Sequence, residues 1–261
     1  MAFHLRSNSL PSKSHPEIAN VEDHICRLKS SEEASVSASS ICAQLASLRD
    51  LHEDINNLIQ LPSVQQALID QACELLDGSL ELVDICGIAR DVILLTKESV
   101  EELESSLRRN RGIDTYMNSR KKIEKMVKKC LKNLKSFDKC STLFLNKDSN
   151  LKAVASMLKE GQAISFSVLK SALTIFTSKQ KAWSLVSKFS RSSHVHSQTE
   201  EELYALNIDK LRKAIETLSV QNVTKQLKES EMIFQELEEN LEAFFRSLVK
   251  TRVSLLNVLN H

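Results

Sequence analysis

Two stretches of this chain place reactive or charged side chains at spacings that suit recognition chemistry. The first is Arg6-Ser7-Asn8-Ser9-Leu10-Pro11, an arginine three residues before Ser9 and a proline two after it. That offset suits basophilic kinases, and a phosphate on Ser9 would carry about −1.5 to −2 charge. On an extended segment such a phosphoserine is the type of ligand that arginine clusters in 14-3-3 proteins accept. Pro11 would turn the chain out of the groove, and Ser7 lacks the upstream arginine. The second stretch is Arg111 to Cys140, with ten basic residues against three acidic ones, a net of +7. Within it Arg120, Lys121, Lys122, Lys125, Lys128, Lys129 and Lys132 form a candidate surface for anionic lipid head groups, where each cation contributes about 1 kcal/mol. No aromatic residues interleave with them, so nucleic acid is a poor fit. Two plainer readings stand beside the lipid one. The lysines can be a solvated face opposite Ile123, Val127 and Leu134. They can also lie beside the acidic side of the last helix, where Glu229, Glu231, Glu236, Glu238, Glu239 and Glu242 outweigh Lys225 and Lys228.

Catalytic chemistry finds little support. His194-Val195-His196 offers two metal ligands with no cysteine or carboxylate partner, a weak site. No P-loop, dinucleotide-binding, zincin or nucleophile-elbow pattern occurs. The runs Glu101-Glu102-Leu103-Glu104 and Glu200-Glu201-Glu202 suit solvated faces or helix starts. His24 and His52 are expected to be satisfied interface residues. Six cysteines (Cys26, Cys42, Cys73, Cys86, Cys130 and Cys140) are scattered without a CxxC pair, as reduced thiols would be. These features point to a non-enzymatic protein without cofactor or metal, acting through protein partners, with the oligomeric state open.

The elements that position these residues are helices. Only four glycines and three prolines occur, with none of the prolines after Pro62, which leaves little material for tight turns. Two tyrosines and one tryptophan argue further against sheet. The fold class is all-α, an elongated bundle of six to eight long, mostly antiparallel helices. Residues 1–17 form a disordered tail and 18–261 a single helical domain. Ile18, Val21, Ile25 and Leu28 give a first short helix. Capping boxes at Ser30/Glu33, Ser63/Gln66 and Thr199/Glu202 start later ones. The second box opens the longest helix, to about Asn110, with a kink or close crossing near Asp77-Gly78. Gly112 is expected as a left-handed residue after it and Asp114 as the cap of the next helix. That next helix shows Tyr116, Ile123, Val127, Cys130, Leu134 and Phe137 on one face. A helix from about Leu151 to Phe189, a loop over 187–198, and a break at Asn222 follow. The clearest seam is Phe234, Leu237, Leu241, Phe244, Leu248, Leu255 and Val258. The most apolar window, Ala163 to Phe176, is short of a membrane span. A soluble, cytoplasmic protein is expected, membrane-associated if the lysines bind lipid. The acid-free, serine-rich start resembles a transit peptide enough to leave the plastid as an alternative.

Several segments together resemble a plant-specific family, the one grouped with the BYPASS protein. They are FHLRSNSLPSKSHP at 3–16, LPSVQQAL at 61–68, LLDGSLELVDICGIARD at 75–91, SLRRNRG at 106–112, SRKKIEKMVKK at 119–129 and TRVSLLNVLNH at 251–261. The resemblance implies a helical protein without known catalytic activity, linked to root and shoot development. It brings no catalytic residues with it.

Overall fold

The computed structural model describes residues 15–32, 37–109, 111–134, 150–177, 211–213, 215 and 220–260. Among the described residues seven helices run in order: α1 Pro16–Glu32, α2 Ala38–Ile59, α3 Pro62–Leu68, α4 Ala72–Arg108, α5 Asp114–Leu134, α6 Asn150–Ile175 and α7 Val220–Leu259. Among the described residues there is no strand.

Helix starts differ from the capping expectations. Pro16 and Glu17 belong to α1, because a proline at the first helical position loses no hydrogen bond. Ser30 and Ser31 sit in the last turn of α1 and donate back to Arg27 O and Leu28 O. The cap of α2 is Ser37, whose hydroxyl accepts from Ser40 N at 3.0 Å. Pro62 opens α3 after Leu61, so the Ser63 box is not used. The long helix expected from 63 is interrupted by a 3-10 turn at Ile69–Gln71, and α4 then runs unbroken for 37 residues. Gly78 lies inside it and marks the expected close crossing, for an added Cβ would come within 2.5 Å of Gln162 Oε1 on α6. Gly112 does not adopt the left-handed conformation; α4 ends on Arg109 near φ −91°, ψ 9°. Asp114 is the first residue of α5 rather than a residue ahead of it. The α6 helix closes at Ile175 through the tight bonds Phe176 N→Leu173 O and Thr177 N→Thr174 O, short of the expected Phe189. Asn222 falls in the first turn of α7 rather than at a break. Phe137, the 187–198 loop with its histidines, and the Thr199/Glu202 box lie outside the described residues.

Four helices form a ring in which α2 packs on α7, α7 on α4, α4 on α6 and α6 on α2. Paired residues give the directions. Arg49, His52 and Asn56 of α2 meet Ser247, Thr251 and Ser254 of α7, so these two run parallel. Leu76, Cys86 and Lys97 of α4 meet Arg252, Leu241 and Gln235 of α7, which is antiparallel. The α2–α6 pair is antiparallel as well, with Ile55 against Gly161 and His52 against Ser165. It follows that α4 and α6 run parallel, and α5 is the return stroke that makes this possible. α1 packs on α2 and α6, and α5 mainly on α4.

The core is one continuous cluster, with Phe234, Phe244, Leu45, Leu48, Leu51 and Ile55 fully enclosed. Buried hydroxyls do not disturb it. Thr96, Ser99, Ser165 and Ser230 each donate to the carbonyl four residues earlier, which satisfies them within their own helix. Phe176 stacks on Phe234 with centroids 6.1 Å apart, joining the ends of α6 and α7's N-terminal half.

Candidate functional site

Among the described residues, α5 has the most one-sided distribution of charge. Tyr116, Arg120, Ile123, Val127, Cys130 and Leu134 recur every three or four residues and are buried. Lys121, Lys122, Lys125, Lys128, Lys129 and Lys132 all point outward and are exposed. Of these six, only Lys128 has an acidic partner among the described residues, Glu124 Oε1 at 2.5 Å one turn earlier. Their amphipathic helix is held by its apolar stripe, and among the described residues no element packs over the cationic side.

Arg120 does not belong to that surface. Only 4% of it is exposed, and it occupies the stripe position between Tyr116 and Ile123. One terminal nitrogen donates to Phe176 O at 3.4 Å, while Nε and Nη1 find no acceptor among the described residues. Burial lowers its pKa, partly offset by Tyr116 and Glu124. Burial also pushes the Tyr116 phenol up to about 12. The spacing itself held the signal, since 116, 120, 123 and 127 share one helical face.

The acidic side of α7 is engaged elsewhere. Glu238 pairs with Lys97 of α4 at 2.5 Å, and Glu242 bridges Arg90 of α4 at 3.0 Å and Arg246 at 3.1 Å. Glu229 lies 4.0 Å from Lys225. No ion pair among the described residues joins α5 to α7, so the reading in which α7 neutralises the lysines fails.

Histidines serve packing. His24 bonds Asp54 at 2.7 Å across α1 and α2. His52 is buried where α2, α6 and α7 meet, with Nε2 3.0 Å from Ser165 Oγ and Nδ1 3.3 Å from Thr251 Oγ1. Ser165 Oγ also donates to Gly161 O, and Thr251 Oγ1 to His52 O. The ring sits edge-on to Phe244, centroids 5.4 Å apart. Desolvation lowers the His52 pKa to about 4, so the ring is neutral near pH 7. Cys86 is likewise raised to about 12, chiefly by burial. No group of three metal-ligating side chains occurs among the described residues, and none of their helices is long and apolar enough to cross a membrane. Arg6, Ser7, Ser9 and Pro11 lie outside the described residues.

The family described as Protein BPS1 matches residues 44–258. The chain belongs to the BPS1 family. No curated protein and no solved structure matches it. The BPS1 match begins inside α2 and ends inside α7, so it takes in α5 and reaches all four ring helices, while α1 precedes it.

Proposed function

We propose that this member of the BPS1 family is a non-enzymatic scaffold or regulator that acts through its surfaces, with α5 docking it on anionic membrane. The observation that carries the reading is the row of six exposed lysines on one helix, five without an acidic partner among the described residues. Clustered cations of this type gain about 1 kcal/mol each near anionic lipid, so several together suffice for peripheral attachment that salt weakens. The enclosed His52 and Cys86 support the non-enzymatic part, since burial has removed the reactivity of both. With the resemblance to the BYPASS group, the role extends to plant root and shoot development. Flotation with phosphatidylserine vesicles tests the docking. The intact chain should float with anionic and not with neutral vesicles, and Lys121, Lys125, Lys128 and Lys132→Glu should abolish it. Flotation unchanged by those four substitutions would remove α5 from the mechanism.

A second reading rests on the arginine three residues before Ser9. Phosphorylated Ser9 docks a 14-3-3 protein, a doubly charged phosphate pairing with arginines of the partner's groove. Ser9→Ala should abolish capture from kinase-treated samples and leave the melting temperature unchanged, while Ser7→Ala weakens capture only in part. A phosphopeptide that binds no tighter than its unmodified form ends this reading.

A further inference from the structure

The outer side of the α4–α7 pair carries apolar residues that the bundle leaves uncovered. On α4, Leu80 is 44% exposed and Leu94, two heptads on, is also exposed. On α7, Val249, Val253 (50%) and Leu256 (41%) follow at helical spacing from half-buried Phe245. The two stretches lie side by side. Arg90 of α4 sits 5.2 Å over the Phe245 ring, and Arg252 of α7 donates to Leu76 O and Ser79 Oγ of α4. These contacts set the register of the central part, so Leu80 and Val83 run beside Val249 and Val253, while Leu94 and Leu256 lie beyond its two ends.

Along the Leu80–Val83 half of the patch the two edges carry opposite charge, whereas the Leu94 half is acidic on both helices, with Asp91 and Glu239 exposed. Along the α4 edge away from α7 stand Asp77, Glu81 and Asp84, and Asp77 and Asp84 are exposed. Along the α7 edge away from α4 stand Arg246 and Lys250, both exposed. No basic partner answers the acidic edge among the described residues. Burial, then Asp84 and Asp77, push the Glu81 carboxyl up. A twofold axis lying in the contact plane and parallel to the two helices sets the α4 edge of one copy against the α7 edge of the other. Acid then meets base twice, and the apolar centres meet each other.

We propose that this face binds a second copy of the chain, forming a twofold dimer through α4 and α7. From Asp77 to Leu94 the face is about 25 Å long at ~1.5 Å per residue, and two helices side by side are about 20 Å wide. That gives about 500 Å² per copy and about 1,000 Å² in all, the lower edge of specific interfaces, so dissociation in the micromolar range is expected. Val83 and the valines of α7 supply the desolvated centre that such an interface needs.

Sedimentation velocity of the full chain over a micromolar concentration series tests it. The expected result is a shift from 29.4 kDa to twice that mass as concentration rises. Leu80→Asp with Val253→Asp should leave only monomer while the circular dichroism spectrum stays helical. Lys250→Glu alone and Glu81→Lys alone should each weaken association at least tenfold. Mixing those two variants, or combining both substitutions in one chain, should restore it. The proposal is overturned if the unmodified chain is monomeric throughout the series. It is equally overturned if the charge swap fails to restore association, or if the double aspartate variant still dimerises.

Discussion

His52 shows how burial converts a reactive side chain into a structural one. Its folded pKa of about 4 lies below the ordinary 6.5, so the unfolded chain binds the extra proton first. Stability is therefore full above about pH 6.5 and falls as the pH drops toward 4, by about 3 kcal/mol over the whole window. Between pH 7 and pH 5, above the carboxylate range, the loss should reach about 2 kcal/mol in urea titrations, and His52→Gln should flatten that part of the curve. None of the hydrogen-bond partners of His52 is itself ionisable, so no neighbouring group supplies a counter-charge. The cysteines divide by the same logic. Cys26 and Cys73 are exposed while Cys42, Cys86 and Cys130 are buried. Iodoacetamide should label the first two in the native state, and mass spectrometry should find Cys86 modified only after denaturation. That His52 would be satisfied at an interface was legible from its place four residues after Leu48 and three before Ile55. Its partners were not legible, because Ser165 and Thr251 stand 113 and 199 residues away.

At the scale of a helix, α5 separates what stabilises from what is presented. Arg120 carries a desolvated charge with two unsatisfied nitrogens among the described residues, so Arg120→Met should raise stability by roughly 1 kcal/mol. Lys125→Glu should move stability by less than about 0.5 kcal/mol and act on vesicle binding alone. An urea titration paired with flotation reads both. If Arg120→Met instead unfolds α5, the arginine has a partner that outweighs its desolvation. The apolar periods of α1, α2, α5 and α7 were plain in the sequence because each helix buries one stripe against a continuous core. The starts were not, because serine near a helix can cap it or donate backward within it. Ser30 does the second and Ser37 the first. Phe234 tests the seam of α7. It is fully enclosed and stacked on Phe176, so Phe234→Ala should cost about 3 to 5 kcal/mol, read as a lowered urea midpoint.

For the molecule as a whole, chain direction was the least legible property. Helical periods say which face is buried, but they do not say which neighbour covers it or which way that neighbour runs. The parallel course of α2 and α7 depends on contacts such as Arg49 O with Ser247, 198 residues apart. That separation has a consequence in time. A ribosome adding about 5 to 20 residues per second needs roughly ten to forty seconds between making α2 and making α7. Throughout that interval the side of α2 that will meet α7 lacks its cover, and an exposed helix face of this type attracts chaperones. Nascent chains stalled before residue 220 should accordingly be cut by protease within α2, whereas the released protein should resist cutting there.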